Sequence, residues 1–193
     1  MFISRSAELM TRRAVMVQYF AYGSNMLRER LQRRCPSASL LGPAILPGYG
    51  VTFTKIGRDG SGKATLTPGS IGRDPAHPGA YGVVFSLCPD DMTALDRIEG
   101  RGQGYQRLER VGVLLGGGPA SCDVTTYIAE PDHIDLALQP FDWYLSLVLA
   151  GAVENLLPPE YCDWLSAHAR LTDTHETRPT RLEALSILHA LAT

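Results

Sequence analysis

Short runs of β-forming residues recur along the chain and are separated by stretches with helical spacing. The first run, Val17 to Tyr22, is mostly apolar and is broken at residues 23–25, which predicts a buried strand ending at a turn. Similar runs predict further strands at residues 51–54, 63–68, 80–87, 105–115 and 122–129. The glycine-rich segment 57–62 is predicted to join the strands at 51–54 and 63–68 into a hairpin, and the unbroken apolar run at 80–87 predicts a central strand. A loop is expected at 75–78.

Helices are predicted between and after these strands. A short helix follows the first turn and ends before Pro36. A second begins at Pro89, has acids in its first turn, runs to Ile98 or Glu99 and is closed by Gly100. Longer apolar patterns predict helices at residues 139–152, 159–169 and 182–191.

The order of these elements favours the α+β class. Strands come in groups with helices between or after them, whereas a doubly wound parallel sheet needs regular alternation. We therefore predict a small mixed β-barrel-like core with flanking helices. The 193 residues, 45% hydrophobic and 20% charged, suit one globular domain. We place it at 17–170, with an N-terminal extension at 1–16 and a C-terminal, helical extension at 171–193.

Charge and residue spacing exclude several classes of partner. The net charge of −2 argues against nucleic acid, and the basic cluster at 28–34 is interpreted as a solvent-exposed helix face. The four cysteines and five histidines show no metal-ligand spacing, so neither metal nor cofactor is expected. No apolar run approaches the roughly 20 residues that span a bilayer, and the N-terminus lacks the order of a secretion signal. We therefore expect a cytoplasmic protein without membrane association.

Glu99 is a candidate for proton transfer. It lies on the apolar face of its predicted helix, in line with Met92 and Leu95. The last turn of a helix disfavours an anion, and Asp96 adds a like charge three residues earlier. A carboxylate so placed is a candidate acid or base. The alternative is a glutamate at a frayed helix end that pairs with a nearby arginine, namely Arg97, Arg101 or Arg107.

The turn from Tyr22 to Asn25 is a candidate anion-binding loop. Gly23 permits a turn that other residues resist, and Ser24 or Asn25 would cap the next helix and leave free N–H groups for a carboxylate or phosphate. An ordinary capped turn explains the same residues. Neither a P-loop nor a nucleophile elbow is present.

Several tyrosines would line a polar pocket, although each is also explained by packing. They are Tyr19, Tyr105, Tyr127 and Tyr144.

Three blocks of sequence resemble the γ-glutamyl cyclotransferase (AIG2-like) family. Residues 19–26, Tyr-Phe-Ala-Tyr-Gly-Ser-Asn-Met, resemble its opening motif. Gly-Val-Val-Phe at 82–85, Leu-Asp-Arg-Ile-Glu-Gly at 95–100 and Gly104-Tyr105 are similar to its central block. Residues 151–161 are similar to its C-terminal helix-turn-helix. The resemblance covers residues 17–168 or so, in order and with similar spacing.

The resemblance implies a barrel-like α/β fold with a pocket at one face and a cofactor-free enzyme acting on a small molecule. It implies that Glu99 is the general acid/base and that the 22–25 loop holds the glutamyl group through its backbone. Tyr127 and Tyr144 fall where family tyrosines help to close this pocket. The substrate-binding residues are therefore expected to be Tyr19, Tyr22, Gly23, Ser24, Asn25, Tyr127 and Tyr144.

The expected reaction is attack of the α-amine of a γ-glutamyl amino acid or amine on its own γ-carbonyl, which yields 5-oxoproline. Glutathione is a less expected substrate, because glutathione-specific relatives carry a Tyr-Gly-Ser-Leu-type loop. One alternative is a γ-glutamylamine cyclotransferase acting on isopeptides or a biosynthetic intermediate. Another is a non-catalytic small-molecule binding module on the same fold. A serine hydrolase using Ser24 lacks a recognisable His/Asp framework. Association as a homodimer is left open.

Overall fold

The computed structural model describes residues 15–69 and 79–192 and confirms the α+β class. Its strands are β1 (Val17–Ala21), β2 (Ser39–Pro47), β3 (Tyr49–Ile56), β4 (Gly62–Pro68), β5 (Gly79–Leu87), β6 (Tyr105–Leu115) and β7 (Ser121–Ala129). Five of them close into a barrel in the order β1-β5-β2-β6-β7. β3 and β4 form a separate two-stranded sheet, which is the predicted hairpin. β1 pairs antiparallel with β5 along its whole length, and one parallel pair, Tyr19 with Thr125, joins it to β7.

The helices are α1 (Arg28–Arg34), α2 (Pro89–Glu99), α3 (Asp142–Glu154), α4 (Pro159–Ser166) and α5 (Pro179–Leu191), with 3-10 turns at Ser24–Met26 and Pro131–His133. The prediction for α2 is confirmed at both ends. Gly100 adopts the left-handed conformation (φ 69°) that closes this helix. α3 begins later than predicted because the Pro140 carbonyl and the Asp142 amide are both bonded to the backbone of Leu171. Within the described residues, every helix falls short of the length and apolar character needed to cross a membrane.

The sequence prediction missed β2, a central strand of the barrel. Its nine residues contain Gly42, Pro43 and Pro47, which normally mark turns or strand edges. The structure accommodates them with a register shift between Leu40 and Gly42, where φ is 144° at the glycine. Pairing with β5 continues beyond the shift to the end of β2. A central strand is therefore compatible with these residues once a bulge absorbs the irregularity.

The turn at 24–26 is fixed by α3, which packs directly against it. A Cβ atom added at Gly151 would lie 2.6 Å from the amide nitrogen of Leu27, so only a glycine lets the two backbones come this close. The Asn155 amide then donates a hydrogen bond to the Met26 carbonyl at 2.9 Å. The turn is therefore part of the packed core.

α5 packs on α3 through Ala184 and Ile187, which are fully buried. The helix predicted at 182–191 is thus present and begins three residues earlier, at Pro179. The domain boundaries at residues 17 and 170 stay predictions. Most of the N-terminal extension and the loop expected at 75–78 lie outside the described residues.

Candidate functional site

A pocket of about 330 Å³, including the space at its open mouth, lies at the C-terminal end of α2. It is lined by Tyr19, Tyr22, Gly23, Ser24, Asn25, Ala64, Glu99, Tyr105, Tyr127 and Tyr144. The structure therefore brings together all the residues that the family resemblance assigned to the site, along with Tyr105, which the sequence also singled out, and Ala64, which it did not.

Glu99 is held through one of its two carboxylate oxygens. The Asn25 amide donates to Oε1 at 2.9 Å, and the Arg34 guanidinium lies 3.7 Å from the same atom. Among the described residues, Oε2 has no hydrogen-bond or ion-pair partner. The side chain is 18% exposed, so its free oxygen is available to a ligand in a largely desolvated place.

The Asn25 side chain connects three groups of the pocket. Its Nδ2 donates to Glu99 and also to the Tyr19 hydroxyl at 3.1 Å, while its Oδ1 accepts from Arg34 at 3.1 Å. These bonds use both donor hydrogens of the amide and its acceptor oxygen, and they hold the amide in one orientation. Asn25 thus sets where the Glu99 carboxylate points.

The expectation that Ser24 or Asn25 caps the following helix is wrong. The 3-10 turn and α1 both begin without a side-chain cap, and α1 has Leu27 at its N-cap position. The Ser24 hydroxyl instead accepts a hydrogen bond from Arg30 Nε at 3.1 Å. Both polar side chains of the loop are therefore committed to tertiary contacts.

The prediction that the arginines at 28–34 form a solvent-exposed face is wrong for Arg30 and Arg34. The Arg30 side chain is 4% exposed and that of Arg34 is 18% exposed, whereas Arg28 and Arg33 lie towards solvent. Arg30 and Arg34 are four residues apart and share one face of α1, and this is the face that packs against the loop. Burial lowers the pKa of Arg30 to about 10, so it is still charged at neutral pH, and Glu183 of α5 lies 3.5 Å away.

Gly23 combines an unusual backbone conformation with close neighbours. Its φ of −118° and ψ of −148° lie outside the main β and α regions, which is in keeping with the expected glycine turn. A Cβ atom at this position would lie 3.1 Å from the Ala64 Cβ and 3.3 Å from the Tyr144 hydroxyl. The glycine therefore lets the loop approach the opposite wall of the pocket.

Three tyrosines brace the walls by donating hydrogen bonds. Tyr22 donates to the Tyr127 carbonyl at 2.7 Å, and Tyr105 donates to the Ala64 carbonyl at 2.6 Å. Tyr127 donates to Asp96 Oδ1 at 2.8 Å. Burial raises the pKa of all three phenols, which therefore stay neutral at neutral pH.

Tyr19 and Tyr144 accept hydrogen bonds instead. The Tyr19 oxygen accepts from Asn25, and the Tyr144 oxygen accepts from the Ala64 amide at 3.1 Å. Burial also raises the pKa of both phenols. Among the described residues, the Tyr19 hydroxyl hydrogen has no acceptor, so it is free to donate to a ligand.

Asp96 is surrounded by donors. Arg107 lies at 2.7 Å and Arg101 at 3.1 Å from Oδ2, while Tyr127 takes Oδ1. Arg101 and Arg107 were two of the partners considered for Glu99, and in the structure they bind Asp96 instead. The guanidinium beside Glu99 is that of Arg34, which the sequence analysis did not connect with the site.

Tyr105 belongs to the tyrosine group that the sequence analysis singled out, but the family resemblance did not assign it to the site. Ala64 gave no signal, because its contribution is a backbone amide and carbonyl. No group of three His, Cys, Asp or Glu within residues 15–69 and 79–192 is arranged to hold a metal ion.

Known proteins resemble this chain over most of its length. The sequence profile described as the AIG2-like family matches residues 80–165. Human gamma-glutamylcyclotransferase is 33% identical over 156 residues, which cover 77% of this chain and 77% of that protein. The bovine protein of the same name is 33% identical over 150 residues, covering 74% of this chain and 73% of its own. A solved structure of a gamma-glutamyl cyclotransferase matches with a TM-score of 0.77 and 27% identity, covering 91% of this chain and 99% of that one.

Proposed function

We propose, from the premise that this chain belongs to the gamma-glutamylcyclotransferase family, that its pocket converts a γ-glutamyl amino acid into 5-oxoproline and the free amino acid. The chain is an enzyme of the gamma-glutamylcyclotransferase type. The proposal adds the substrate class and the role of each residue in the pocket.

The observation that carries the proposal is the half-held carboxylate of Glu99. One oxygen is fixed by Asn25 and Arg34, so the direction of the other is set before substrate arrives. A carboxylate held in this way accepts a proton most readily at the oxygen that no other donor occupies. Five of the ten lining residues are tyrosines, which stay neutral at neutral pH and so add no charge beside the carboxylate.

The glutamyl end of the substrate is assigned to the loop and Tyr19. The amides of Ser24 and Asn25 lie in the first turn of a 3-10 helix, where N–H groups have no partner within the helix. They suit the α-carboxylate of the glutamyl group. The free Tyr19 hydroxyl offers one further donor, suited to the oxyanion that develops on the γ-carbonyl.

The reaction forms one carbon–nitrogen bond and breaks another. Glu99 accepts a proton from the α-ammonium group, and the freed nitrogen attacks the γ-carbonyl carbon to close a five-membered ring. The amide bond then breaks as Glu99 returns this proton to the leaving nitrogen. The attacking nitrogen gives up a second proton as the ring forms, and Glu99 passes it to the leaving amine in the same way. The balance therefore needs no oxidant or water, and holding the substrate folded positions the amine for attack.

Two other functions compete with this one. A γ-glutamylamine cyclotransferase would use the same Glu99 chemistry on a substrate with a different leaving group. A binding module without catalysis would use the same pocket, but the uncommitted oxygen of Glu99 favours an enzyme. A serine hydrolase is disfavoured because Ser24 is bonded to the Arg30 guanidinium, a cation that cannot serve as its base.

Location and assembly are also part of the proposal. We place the protein in the cytoplasm, in keeping with its four unpaired cysteines, with no nucleic-acid or membrane partner. Light scattering of the purified chain would decide between a monomer and a homodimer.

The direct test is a mass-spectrometric assay of the purified protein for 5-oxoproline, with γ-glutamyl-alanine as first substrate. We expect equal amounts of 5-oxoproline and alanine. The matched control is Glu99→Gln, which keeps the shape of the side chain and should bind the substrate without turning it over. Binding of γ-glutamyl-alanine by the wild-type protein with no 5-oxoproline formed would instead support the binding module.

A further inference from the structure

Lys55 is a buried lysine beside the pocket that the proposed reaction leaves unused. It lies on the buried face of β3, which it shares with Phe53, and Phe53 packs edge-to-face on Tyr144. Lys55 is only 8% exposed. Its ammonium lies 4.8 Å from the ring centre of Tyr105, another residue of the pocket wall.

The charge of Lys55 is not neutralised by the protein. Within the described residues its ammonium makes no hydrogen bond and has no carboxylate within 4.0 Å. Its cross-strand partner Lys63 has both, with Asp59 at 2.7 Å and Ser61 at 2.8 Å. Burial lowers the pKa of Lys55, and the negative charge of Glu99 opposes this shift. A buried cation without a counter-ion is costly, and an anionic ligand would remove that cost.

The fold leaves room for this ammonium. A Cβ atom at Gly104 would lie 3.0 Å from Lys55 Nζ, and the φ of 137° at this glycine is one that other residues rarely adopt. The Glu130 carboxylate accepts from the Gly104 amide at 3.0 Å and lies near His133. Glu130 is thus committed to the neighbouring backbone and does not pair with the Lys55 ammonium.

The chemistry of the substrate places an anion in this neighbourhood. The leaving nitrogen must reach Glu99 to receive its proton. In a γ-glutamyl amino acid, the carbon next to that nitrogen carries a carboxylate, which therefore lies close to the Glu99 carboxylate. The two negative charges repel each other unless a cation stands nearby. Arg34 is already bonded to Asn25 and directed at Glu99, whereas Lys55 has no such partner among residues 15–69 and 79–192.

We propose that Lys55 binds the carboxylate of the leaving amino acid and so makes the enzyme selective for γ-glutamyl amino acids over γ-glutamylamines. The inference rests on the proposed reaction and names the substrate class of the same site. A γ-glutamylamine presents an uncharged methylene group at this place and gains nothing from the ammonium.

The test compares γ-glutamyl-alanine with γ-glutamyl-ethylamide, which has the same atoms without the carboxylate. A hydrogen bond between charged groups predicts that wild-type kcat/KM is about 10- to 100-fold higher for γ-glutamyl-alanine. Lys55→Met keeps the unbranched side chain as far as the ε position and removes the charged ammonium group. It should lower kcat/KM for γ-glutamyl-alanine by that factor and leave γ-glutamyl-ethylamide unchanged. Lys55→Arg should keep the preference.

The matched control is Lys63→Met, on the neighbouring strand of the same hairpin, which should not change the ratio between the two substrates. A Lys55→Met variant that folds and keeps the wild-type ratio would overturn the inference, as would equal wild-type activity on both substrates. If Lys55→Met does not fold, as judged by circular dichroism, Lys55→Gln takes its place with the same expected loss. An unchanged ratio in the variant, or equal wild-type activity on both substrates, would overturn this inference and leave the proposed cyclisation standing. If neither compound yields 5-oxoproline, the proposed function and this inference are both wrong.

Discussion

The two carboxylates near the end of α2 have opposite surroundings. Asp96 receives two arginines and a tyrosine hydroxyl, so both of its oxygens are occupied. Glu99, three residues on, receives one amide and one more distant guanidinium, both at Oε1. A carboxylate that stabilises the fold is neutralised by its neighbours, whereas a catalytic carboxylate needs an oxygen free to take up a proton. Matched substitutions of the two carboxylates, and of one arginine partner of each, test this distinction.

The largest expected effect is on activity. Glu99→Gln should lower kcat by about 10²–10⁴, because it removes the base and keeps the shape. Asp96→Asn should retain far more activity, since Asp96 does not line the pocket. Steady-state release of 5-oxoproline measures both. Near-full activity in Glu99→Gln, or an equal loss in the two variants, would remove the distinction between the carboxylates.

Stability should follow the reverse order. Asp96→Asn removes the carboxylate partner of Arg101 and one of the two carboxylates at Arg107, which keeps Glu109, and we expect the free energy of unfolding to fall by about 1–3 kcal/mol. Glu99→Gln should stay within about 0.5 kcal/mol of the wild type, because the remaining side-chain oxygen can still accept from Asn25 and the amide group replaces only the uncommitted oxygen. Urea denaturation monitored by tryptophan fluorescence gives both values. A larger loss in Glu99→Gln than in Asp96→Asn would mean that Glu99 is mainly structural.

The smallest effects come from removing one arginine on each side. Arg34→Gln loosens Asn25, and through it Glu99, and should cost about tenfold in kcat because the base is misplaced. Arg101→Gln removes a half-exposed partner of Asp96 and should cost at most about 1 kcal/mol of stability, with activity unchanged. Thermal unfolding and the 5-oxoproline assay together separate the two outcomes. Equal losses of activity in Arg34→Gln and Arg101→Gln would contradict the distinction between Glu99 and Asp96.

Local patterns in the sequence predicted much of this arrangement. Proline, acidic residues and glycine predicted the two ends of α2, and β-forming runs predicted six of the seven strands. The pocket residues were identified through three motifs of one family, which together outweigh the ordinary explanation of each motif alone. Glu99 in particular became a candidate because its neighbours on the helix are apolar.

The parts that could not be predicted depend on contacts between distant segments. Asn25 and Glu99 are 74 residues apart in sequence, and nothing local indicates that the asparagine holds the glutamate rather than capping a helix. The role of Arg34 was hidden in a cluster of arginines that looked solvent-exposed. β2 was hidden because its glycine and prolines are tolerated only where a bulge and the neighbouring strand β5 accommodate them.

The hairpin of β3 and β4 is a separate sheet, yet it contacts the pocket through both backbone groups of Ala64, which bind the hydroxyls of Tyr105 and Tyr144. These contacts do not depend on the identity of the side chain at position 64. Lys55 stands on the same hairpin, whereas Glu99 and the 22–25 loop belong to the barrel and its helices. Substitutions at position 55 of the hairpin can therefore change which amine is released, while Glu99 and the 22–25 loop, which close the ring, stay unchanged.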